Sequence, residues 1–374
     1  MIYFDNAATG GFKPRAVTDA TESVIRFLNS NPARSSHRLA LTGAKIIGEC
    51  RETLASFFNS PMEKVIFTKN CTEALNLAIF GTLKVGGHVI TTVFEHNSVL
   101  RPLYALKNKN LIELDVISPD NKTPLELLIK NKIKPNTYLI ITTAVSNVTG
   151  YALPVKNIGK IAKENNLLYL VDGAQAGGHI LLDLKEDNIN MLSLAGHKGL
   201  YGIMGSGVLI FDENTEIEPL IYGGTGTESF NLNQTLPYPE KLEAGTLNLP
   251  AISALNEGVK YVKNNVKSFG AHLYSATETL IENIKNINNV VCYSLPNESG
   301  ICAFKLKNLP SAEVCDILNS NYDIAVRGGF HCAPLMHKFL KTDDEGLVRV
   351  SLAVQNSTNE LNYFISSLKK ISAP

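Results

Sequence analysis

Polar side chains follow several short apolar runs of the sequence, at points where the strands of a sheet would end. These side chains are Asp172 and Gln175 after LLYLV, His197-Lys198 after MLSLAG, Glu95-His96 after TTVF, and Asn147 after LIITTAVS. In an open α/β sheet the carboxyl ends of the parallel strands meet at one edge, where ligands bind. We therefore expect these residues to share one site.

The residue types fit the chemistry of pyridoxal phosphate (PLP). That cofactor needs a lysine to form an imine, and Lys198 is the candidate. It needs a carboxylate to keep its pyridine nitrogen protonated, which Asp172 would provide. His96 would be the flat group over the ring, and the helix that begins near Thr72 would bind the phosphate with its free N–H groups. Taken singly, each residue has a plainer explanation as a turn former, a loop residue or a helix cap, so the prediction depends on their order and common setting.

The elements that position these residues alternate between short β-branched runs and longer helical patterns. Nearly continuous apolar runs such as YLIITT indicate a sheet covered on both faces, and the alternation predicts βαβ units around a mostly parallel sheet. The pattern changes after about Pro250 and predicts a smaller α+β domain. Strands are predicted at 65–68, 88–93, 112–117, 138–143, 168–172, 191–194, 208–211, 290–294, 301–306 and 347–351, with helices at 73–83, 154–165, 252–264, 269–287, 311–319 and 359–370.

The composition excludes several classes of function. Among the 374 residues, 35 are Lys or Arg and 35 are Asp or Glu, so bulk charge gives no attraction to nucleic acid or to a membrane surface. No apolar run reaches the roughly 18 residues of a membrane span, and the N-terminus lacks the features of a signal peptide. We therefore expect a cytoplasmic protein. The six cysteines are scattered without a C-x-x-C pair, which predicts neither a zinc site nor a disulfide framework.

Nine motifs together resemble one family. They are, in order, DNAAT, NCTEALN, FEHNS, SNVTG, VDGAQA, GHKGLYG, EAGT, RGGFHCAP and RVSLA. The chain resembles the class V aminotransferase superfamily of PLP enzymes, and more narrowly its cysteine desulfurases and selenocysteine lyases with a short cysteine loop. The resemblance implies an α/β fold of the PLP-dependent transferase fold type I. It also implies an N-terminal segment (1–12) associated with the small domain, a large PLP-binding domain (13–255) and a small C-terminal domain (256–374).

The resemblance also implies a role for each matching residue. For the cofactor, these are Lys198 as the Schiff-base lysine, Asp172 beside the pyridine nitrogen, Gln175 as donor to the phenolic oxygen, His96 stacked on the ring, and Cys71, Thr72, His197 and Thr246 at the phosphate. Thr246 would reach the phosphate of the neighbouring subunit, which implies a homodimer. Asn147 and Arg349 would hold the substrate carboxylate, because a guanidinium can bind a carboxylate bidentately.

Cys332 matches the nucleophile that takes the sulfur atom. Arg327 and His331 are expected to help hold its thiolate in a glycine-rich loop. His331 and His337 also raise the possibility of a metal site with Cys332, but further ligands at matching spacing are missing, and no metal is expected. The family usually has Ser or Thr at the position of Ala195, so either one phosphate hydrogen bond is missing in this chain or Ser206 or Thr225 replaces it.

The expected function is a PLP-dependent cysteine desulfurase, which converts L-cysteine to L-alanine and passes the sulfur to an acceptor protein. Freed Lys198 or His96 would move protons during the reaction. Three alternatives stay open: a selenocysteine lyase, a different class V reaction such as C–S elimination or transamination, and a PLP-binding protein without turnover. The sequence does not name the sulfur acceptor.

Overall fold

The structure is a computed structural model that describes residues 1–28, 30–32, 35–120 and 122–373. The helices are α1 (Arg15–Phe27), α2 (Arg38–Phe58), α3 (Cys71–Gly81), α4 (Asn97–Asn108), α5 (Leu125–Lys130), α6 (Val155–Glu164), α7 (Leu249–Lys263), α8 (Val266–Lys285), α9 (Ser311–Tyr322), α10 (Pro334–Leu340) and α11 (Thr358–Ile371). The strands are β1 (Ile2–Tyr3), β2 (Val65–Thr68), β3 (Gly87–Thr92), β4 (Ile112–Ile117), β5 (Thr137–Thr143), β6 (Leu168–Asp172), β7 (Met191–Ala195), β8 (Gly207–Phe211), β9 (Val290–Cys292), β10 (Ile301–Leu306), β11 (Ile324–Ala325) and β12 (Val348–Ser351).

A seven-stranded sheet forms the centre of the molecule, with the strand order β2-β8-β7-β6-β5-β3-β4. The strands β7, β6, β5, β3 and β4 are parallel, and β8 runs antiparallel to both of its neighbours, β2 and β7. The prediction of an α/β fold with a mostly parallel sheet is therefore confirmed. The predicted strands of this sheet agree with the observed strands to within one residue at each end.

The central strands are buried on both faces because helices cover both sides of the sheet. Every residue of β5 is buried, and its alternate residues enter different cores: Ile140 packs with Tyr169 on one face, and Leu139 with Leu170 on the other. This arrangement explains why the sequence of β5 is an almost unbroken apolar run rather than an alternating one.

The architecture changes after α7. Helix α7 packs against α1 and α2, and its buried Val259 and Val262 belong to a core of the large sheet. The next elements form a three-stranded antiparallel sheet, β12-β10-β9, with its own core against α8, α9 and α11. Strand β1, at the N-terminus, pairs in parallel with β11, so the first residues of the chain lie beside its last third. The exact domain boundaries stay a prediction.

None of the helices in the described part of the chain is long and apolar enough to cross a membrane.

Candidate active site

The residues singled out at the strand ends line one cavity at the carboxyl edge of the large sheet. The loops after β3, β5, β6 and β7 meet the start of α3 there. The cavity is lined by Asn70, Cys71, Thr72, Leu75, His96, Ser98, Thr143, Asn147, Asp172, Ala174, Gln175, Ala195, His197 and Lys198. Most of the predicted site residues are thus brought together, as expected for an α/β sheet.

Asp172 ends β6 and is almost completely buried in the cavity wall. Its Oδ1 accepts hydrogen bonds from the Ala174 N–H at 3.0 Å and from the Cys71 thiol at 3.6 Å. Burial raises the pKa of Cys71 well above its usual value, so Cys71 stays a thiol that can donate. The other oxygen, Oδ2, makes no hydrogen bond to the described residues, so it is available to a ligand group that carries a proton.

Lys198 lies in the tight turn after β7, where its backbone N–H donates to the Ala195 carbonyl at 3.4 Å. Burial lowers the pKa of its ammonium group, and the charge of Arg349 acts in the same direction, whereas Asp172 opposes both. The fraction of Lys198 that is an uncharged amine at neutral pH is therefore larger than the same fraction for an exposed lysine. An uncharged amine is the form that attacks a carbonyl or accepts a proton.

His96 caps the N-terminus of α4. Its Nδ1 accepts the Ser98 N–H at 3.0 Å and lies 2.8 Å from the Ser98 hydroxyl. Burial lowers the pKa of His96 to about 4, so its imidazole is neutral at physiological pH. A neutral planar ring can cover another ring without charge repulsion from the cationic groups nearby.

The start of α3 has the features of an anion site. The Asn70 side chain caps Glu73 N, and the N–H groups of Cys71 and Thr72 have no acceptor inside the helix because they belong to its first turn. The Thr72 hydroxyl lies 2.8 Å from that of Ser98. Two N–H groups, a hydroxyl and the positive end of the helix dipole together favour a phosphate.

His197 and Gln175 are both held by the N-terminal segment of the chain. His197 Nδ1 lies 3.0 Å from the Thr9 hydroxyl, and burial lowers the pKa of His197 to about 4. Gln175 Nε2 donates to the Ala7 carbonyl at 3.0 Å. One proton of this amide is thus used within the protein, and the second is left for a ligand.

Arg349 and Asn147 form a connected group behind the cavity. The Arg349 side chain is 1% exposed, and its guanidinium donates to the Asn147 carbonyl at 2.9 Å and to Asp5 Oδ1 at 3.0 Å. Asn147 Nδ2 in turn donates to the His331 carbonyl at 2.7 Å. Arg349 Nε and Asn147 Oδ1 are buried without a hydrogen-bond partner. An unused guanidinium N–H at this place is suited to a carboxylate ligand.

Cys332 is exposed and lies next to the cavity, since its carbonyl accepts the Asn97 N–H at 2.7 Å, one residue from His96. Cys332 and His331 both have left-handed backbone conformations, with φ values of 56° and 46°, and Gly329 has φ 101°. Such values are unfavourable for residues with side chains, so the surrounding contacts hold this loop in one conformation.

His331 does not supply the positive charge that was expected to help hold a Cys332 thiolate. It is almost fully buried, and its Nε2 donates to the Leu347 carbonyl at 3.1 Å. Burial lowers the pKa of His331 to about 2, with the neighbouring Arg349 and Arg327 adding to the effect. His331 is therefore neutral, and it anchors the cysteine loop instead. Within the described ranges, no group of three or more His, Cys, Asp or Glu residues could hold a metal ion.

Three other predicted contacts lie away from the cavity. Thr246 is exposed and accepts a hydrogen bond from Asn31 Nδ2 at 3.2 Å. The Ser206 hydroxyl donates to the Ile203 carbonyl at 2.6 Å, and Thr225 is half-buried, with its hydroxyl 3.3 Å from that of Thr227. Neither Ser206 nor Thr225 therefore replaces the missing hydroxyl at Ala195 within one subunit.

Ser98, which the sequence analysis did not single out, does place a hydroxyl on the cavity. Its position at a helix start, two residues after His96, was the signal that could have identified it.

Comparison with known proteins adds to this geometry. The family model described as "Aminotransferase class-V" matches residues 2–364. A "Probable cysteine desulfurase" of Pyrococcus abyssi is 32% identical over 99% of this chain and 94% of that protein, and one of Methanothermobacter thermautotrophicus is 30% identical over the same shares. The "Apo structure of Cysteine Desulfurase from Thermococcus onnurineus NA1" superimposes with a TM-score of 0.92, at 31% identity over 99% of this chain and 94% of that chain.

Proposed function

Because the chain belongs to the class V aminotransferase family, we propose that it is a PLP-dependent cysteine desulfurase. In this proposal, L-cysteine becomes L-alanine, and its sulfur moves to Cys332 and then to an acceptor protein. The expected PLP-dependent transferase fold type I is confirmed by the mostly parallel sheet and by the similar structure. The observation that carries the proposal is the 2.7 Å hydrogen bond that joins the Cys332 carbonyl to Asn97, beside the cavity of Lys198 and Asp172.

The donors and acceptors of the cavity match PLP. Asp172 has a free carboxylate oxygen for the pyridine nitrogen, and Gln175 retains one amide proton for the phenolic oxygen. The start of α3 at Thr72 supplies the phosphate site, with His197 on the same cavity. Lys198 would attach the cofactor, because its amine is partly uncharged. When bound, PLP supplies an electron sink for the substrate Cα.

The chain itself provides the groups that move protons. Lys198 Nζ can accept a proton once it is released from the cofactor, since its lowered pKa favours the free amine. His96 has a neutral ring over the same cavity. We propose Lys198 as the main base, because Nδ1 of His96 is already occupied by the Ser98 N–H.

Arg349 and Asn147 would fix the orientation of the substrate. The buried Nε of Arg349 lacks a partner, and Asn147 Nδ2 keeps one amide proton beside its bond to the His331 carbonyl, so both groups can donate to a substrate carboxylate. The contact of Arg349 with Asp5 holds the guanidinium in place before the substrate arrives.

Cys332 would act as the nucleophile. Its thiolate attacks the substrate sulfur, the S–S bond forms as the substrate C–S bond breaks, and the electron pair of that bond stays with the substrate carbon, which a proton then converts to the methyl group of alanine. The exposed loop leaves the resulting persulfide accessible to an acceptor. Arg327 is the remaining positively charged residue of the loop that would favour the thiolate.

We further propose a homodimer in the cytoplasm. Thr246 is exposed, and the segment before it presents apolar side chains to solvent, among them Tyr222, Phe230, Leu232 and Leu236. Phe230 and Leu232 are fully exposed, and a patch of this kind is typical of a surface covered by another chain. A second copy would cover it and bring Thr246 to the partner's phosphate site.

The proposed location in the cytoplasm is supported by the state of the cysteines. All six cysteines are free thiols, in keeping with a reducing compartment.

The test is to incubate the PLP-loaded protein with L-cysteine and to measure alanine together with the mass of the Cys332 peptide. We expect alanine, and a gain of one sulfur atom on Cys332. Cys332→Ser should retain the visible absorption of bound PLP and lose both products, whereas Cys315→Ser, a control at a half-buried cysteine, should retain both. A colourless protein that stays colourless with added PLP would disprove the cofactor assignment. Alanine production at the normal rate by Cys332→Ser would exclude Cys332 as the nucleophile.

A further inference from the structure

Ser98 connects two parts of the cavity that the proposed mechanism uses separately. The side chain is buried, and its hydroxyl lies 2.8 Å from the Thr72 hydroxyl and 2.8 Å from Nδ1 of His96. We propose that Ser98 is a positioning residue that links the phosphate site to His96 through the chain Thr72–Ser98–His96 and fixes the His96 proton on Nε2. This inference rests on the proposed function only for the identity of the ligand as PLP.

The position of the His96 proton follows from the helix cap. The Ser98 backbone N–H lies 3.0 Å from Nδ1 and can only donate, so Nδ1 must carry a lone pair. The Ser98 hydroxyl at 2.8 Å then has to donate to Nδ1 as well. A neutral imidazole carries one proton, which is therefore on Nε2. Nδ1 is also protected from protonation, because a proton there would displace two donors.

The direction of the next hydrogen bond follows from the first. The hydroxyl of Ser98 has one proton, and Nδ1 of His96 takes it. The Thr72 hydroxyl, 2.8 Å away, must therefore be the donor to Ser98 Oγ. The chain runs in one direction, from Thr72 through Ser98 to His96.

The chain makes His96 sensitive to an anion at α3. Thr72 is in the first turn of that helix, and a phosphate bound there competes for the single proton of the Thr72 hydroxyl. If phosphate takes that proton, Ser98 loses its donor and can turn its own proton towards Thr72. The bond between Ser98 and Nδ1 is then weakened, while the backbone N–H of Ser98 keeps the proton of His96 on Nε2.

Among the described residues that line the cavity, no free hydroxyl is present besides those of Thr72 and Ser98. Ala195 lines the cavity with a methyl group, the Ser206 hydroxyl is bonded to the Ile203 carbonyl, and Thr143 Oγ1 donates to Val145. Thr72 and Ser98 are thus the hydroxyl residues near α3 that are free to respond to a phosphate.

The experiment compares Ser98→Ala and Ser98→Thr with wild type in the full-length chain freed of cofactor. PLP affinity is measured by absorption, and the His96 ring is observed by ¹⁵N NMR of histidine-labelled protein. We expect Ser98→Ala to bind PLP roughly two- to tenfold more tightly, because the Ser98 hydroxyl makes two hydrogen bonds in the free protein and one after a phosphate has taken the Thr72 proton. Its Nδ1 resonance should move towards that of a less hydrogen-bonded nitrogen. Ser98→Thr keeps the hydroxyl and should restore both values, and Ser206→Ala should change neither.

Phosphate itself provides a second measurement. Adding inorganic phosphate to wild type should shift the Nδ1 resonance of His96, and the shift should be absent in Ser98→Ala. A proton on Nδ1 in wild type, or a Ser98→Ala protein with unchanged affinity and unchanged Nδ1 resonance, would overturn the inference. Failure of the wild type to bind PLP would instead overturn the cofactor proposal, and the NMR comparison without ligand would still decide the hydrogen-bond chain.

Discussion

Arg349 gives the sharpest test of the proposed substrate site, because its contacts allow the size of the effect to be worked out. The guanidinium makes two hydrogen bonds, to Asn147 and to Asp5, and keeps Nε free. In Arg349→Lys the positive charge stays, but one nitrogen replaces three. A hydrogen bond to a charged group contributes about 1.5–3 kcal/mol. We therefore expect cysteine to bind Arg349→Lys roughly ten- to 150-fold more weakly, at 1.36 kcal/mol per factor of ten.

Arg349→Ala should have a larger effect. Removing one member of a buried charged pair costs about 2–5 kcal/mol, which corresponds to roughly thirty-fold to several-thousand-fold in affinity. The loss also leaves Asp5 without its partner, so thermal unfolding must be measured for each variant. PLP binding should be retained, because Arg349 makes its contacts behind the cavity.

The assay is a titration of the PLP-loaded protein with L-cysteine, followed by the change in cofactor absorption. Cysteamine is the matched control ligand, since it has the amine and the thiol of cysteine but no carboxylate. A clamp for the carboxylate predicts weaker binding of cysteine and unchanged binding of cysteamine. If both ligands weaken equally, or if neither does, Arg349 does not hold the substrate carboxylate, and its role is to connect Asp5, Asn147 and the cysteine loop.

Three further predictions concern other parts of the molecule. Cys332→Ala should release alanine from L-cysteine several orders of magnitude more slowly than the wild type. Its rate of alanine release from selenocysteine should fall much less, because selenium is the better leaving group. Equal falls in the two rates, measured in a paired assay, would contradict this. The wild type should sediment as a dimer, and Thr246→Ala should bind PLP several-fold more weakly, as for one lost hydrogen bond; an active monomer would refute the shared site. Burial raises the pKa of Glu95 to about 8 from 4.5, so between these pH values the unfolded chain has released a proton that the folded protein keeps. Glu95 should therefore lower the free energy of unfolding as pH rises through this range, by up to about 1.4 kcal/mol per pH unit, and this contribution is the difference between denaturant titrations of the wild type and of Glu95→Gln; an equal pH dependence of the two proteins would contradict it.

The strands and the cavity residues were accessible from local sequence. Strands β2, β4 and β6 occupy the predicted residues, because an apolar run between turn-forming residues is a local signal. Asp172 and Lys198 meet at one cavity because parallel strands end at one edge, so their positions followed from the fold class. Their roles stay predictions until the variants are measured. The helices α1 and α2 were not predicted, and their amphipathic character makes them the clearest omission.

What the sequence determined by itself was the order of the elements, the mostly parallel sheet and the family, because apolar periodicity and motif order are properties of the chain. What only the tertiary structure decided depends on contacts between distant residues. Asp5 and Arg349, 344 residues apart, form an ion pair because the chain after β1 bridges to β12, at Asp5 and Ser351. The neutral state of His331 follows from burial that no local pattern records. The left-handed cysteine loop and the position of Ser98 between Thr72 and His96 likewise arise from packing, since neither has a periodic signal in the sequence.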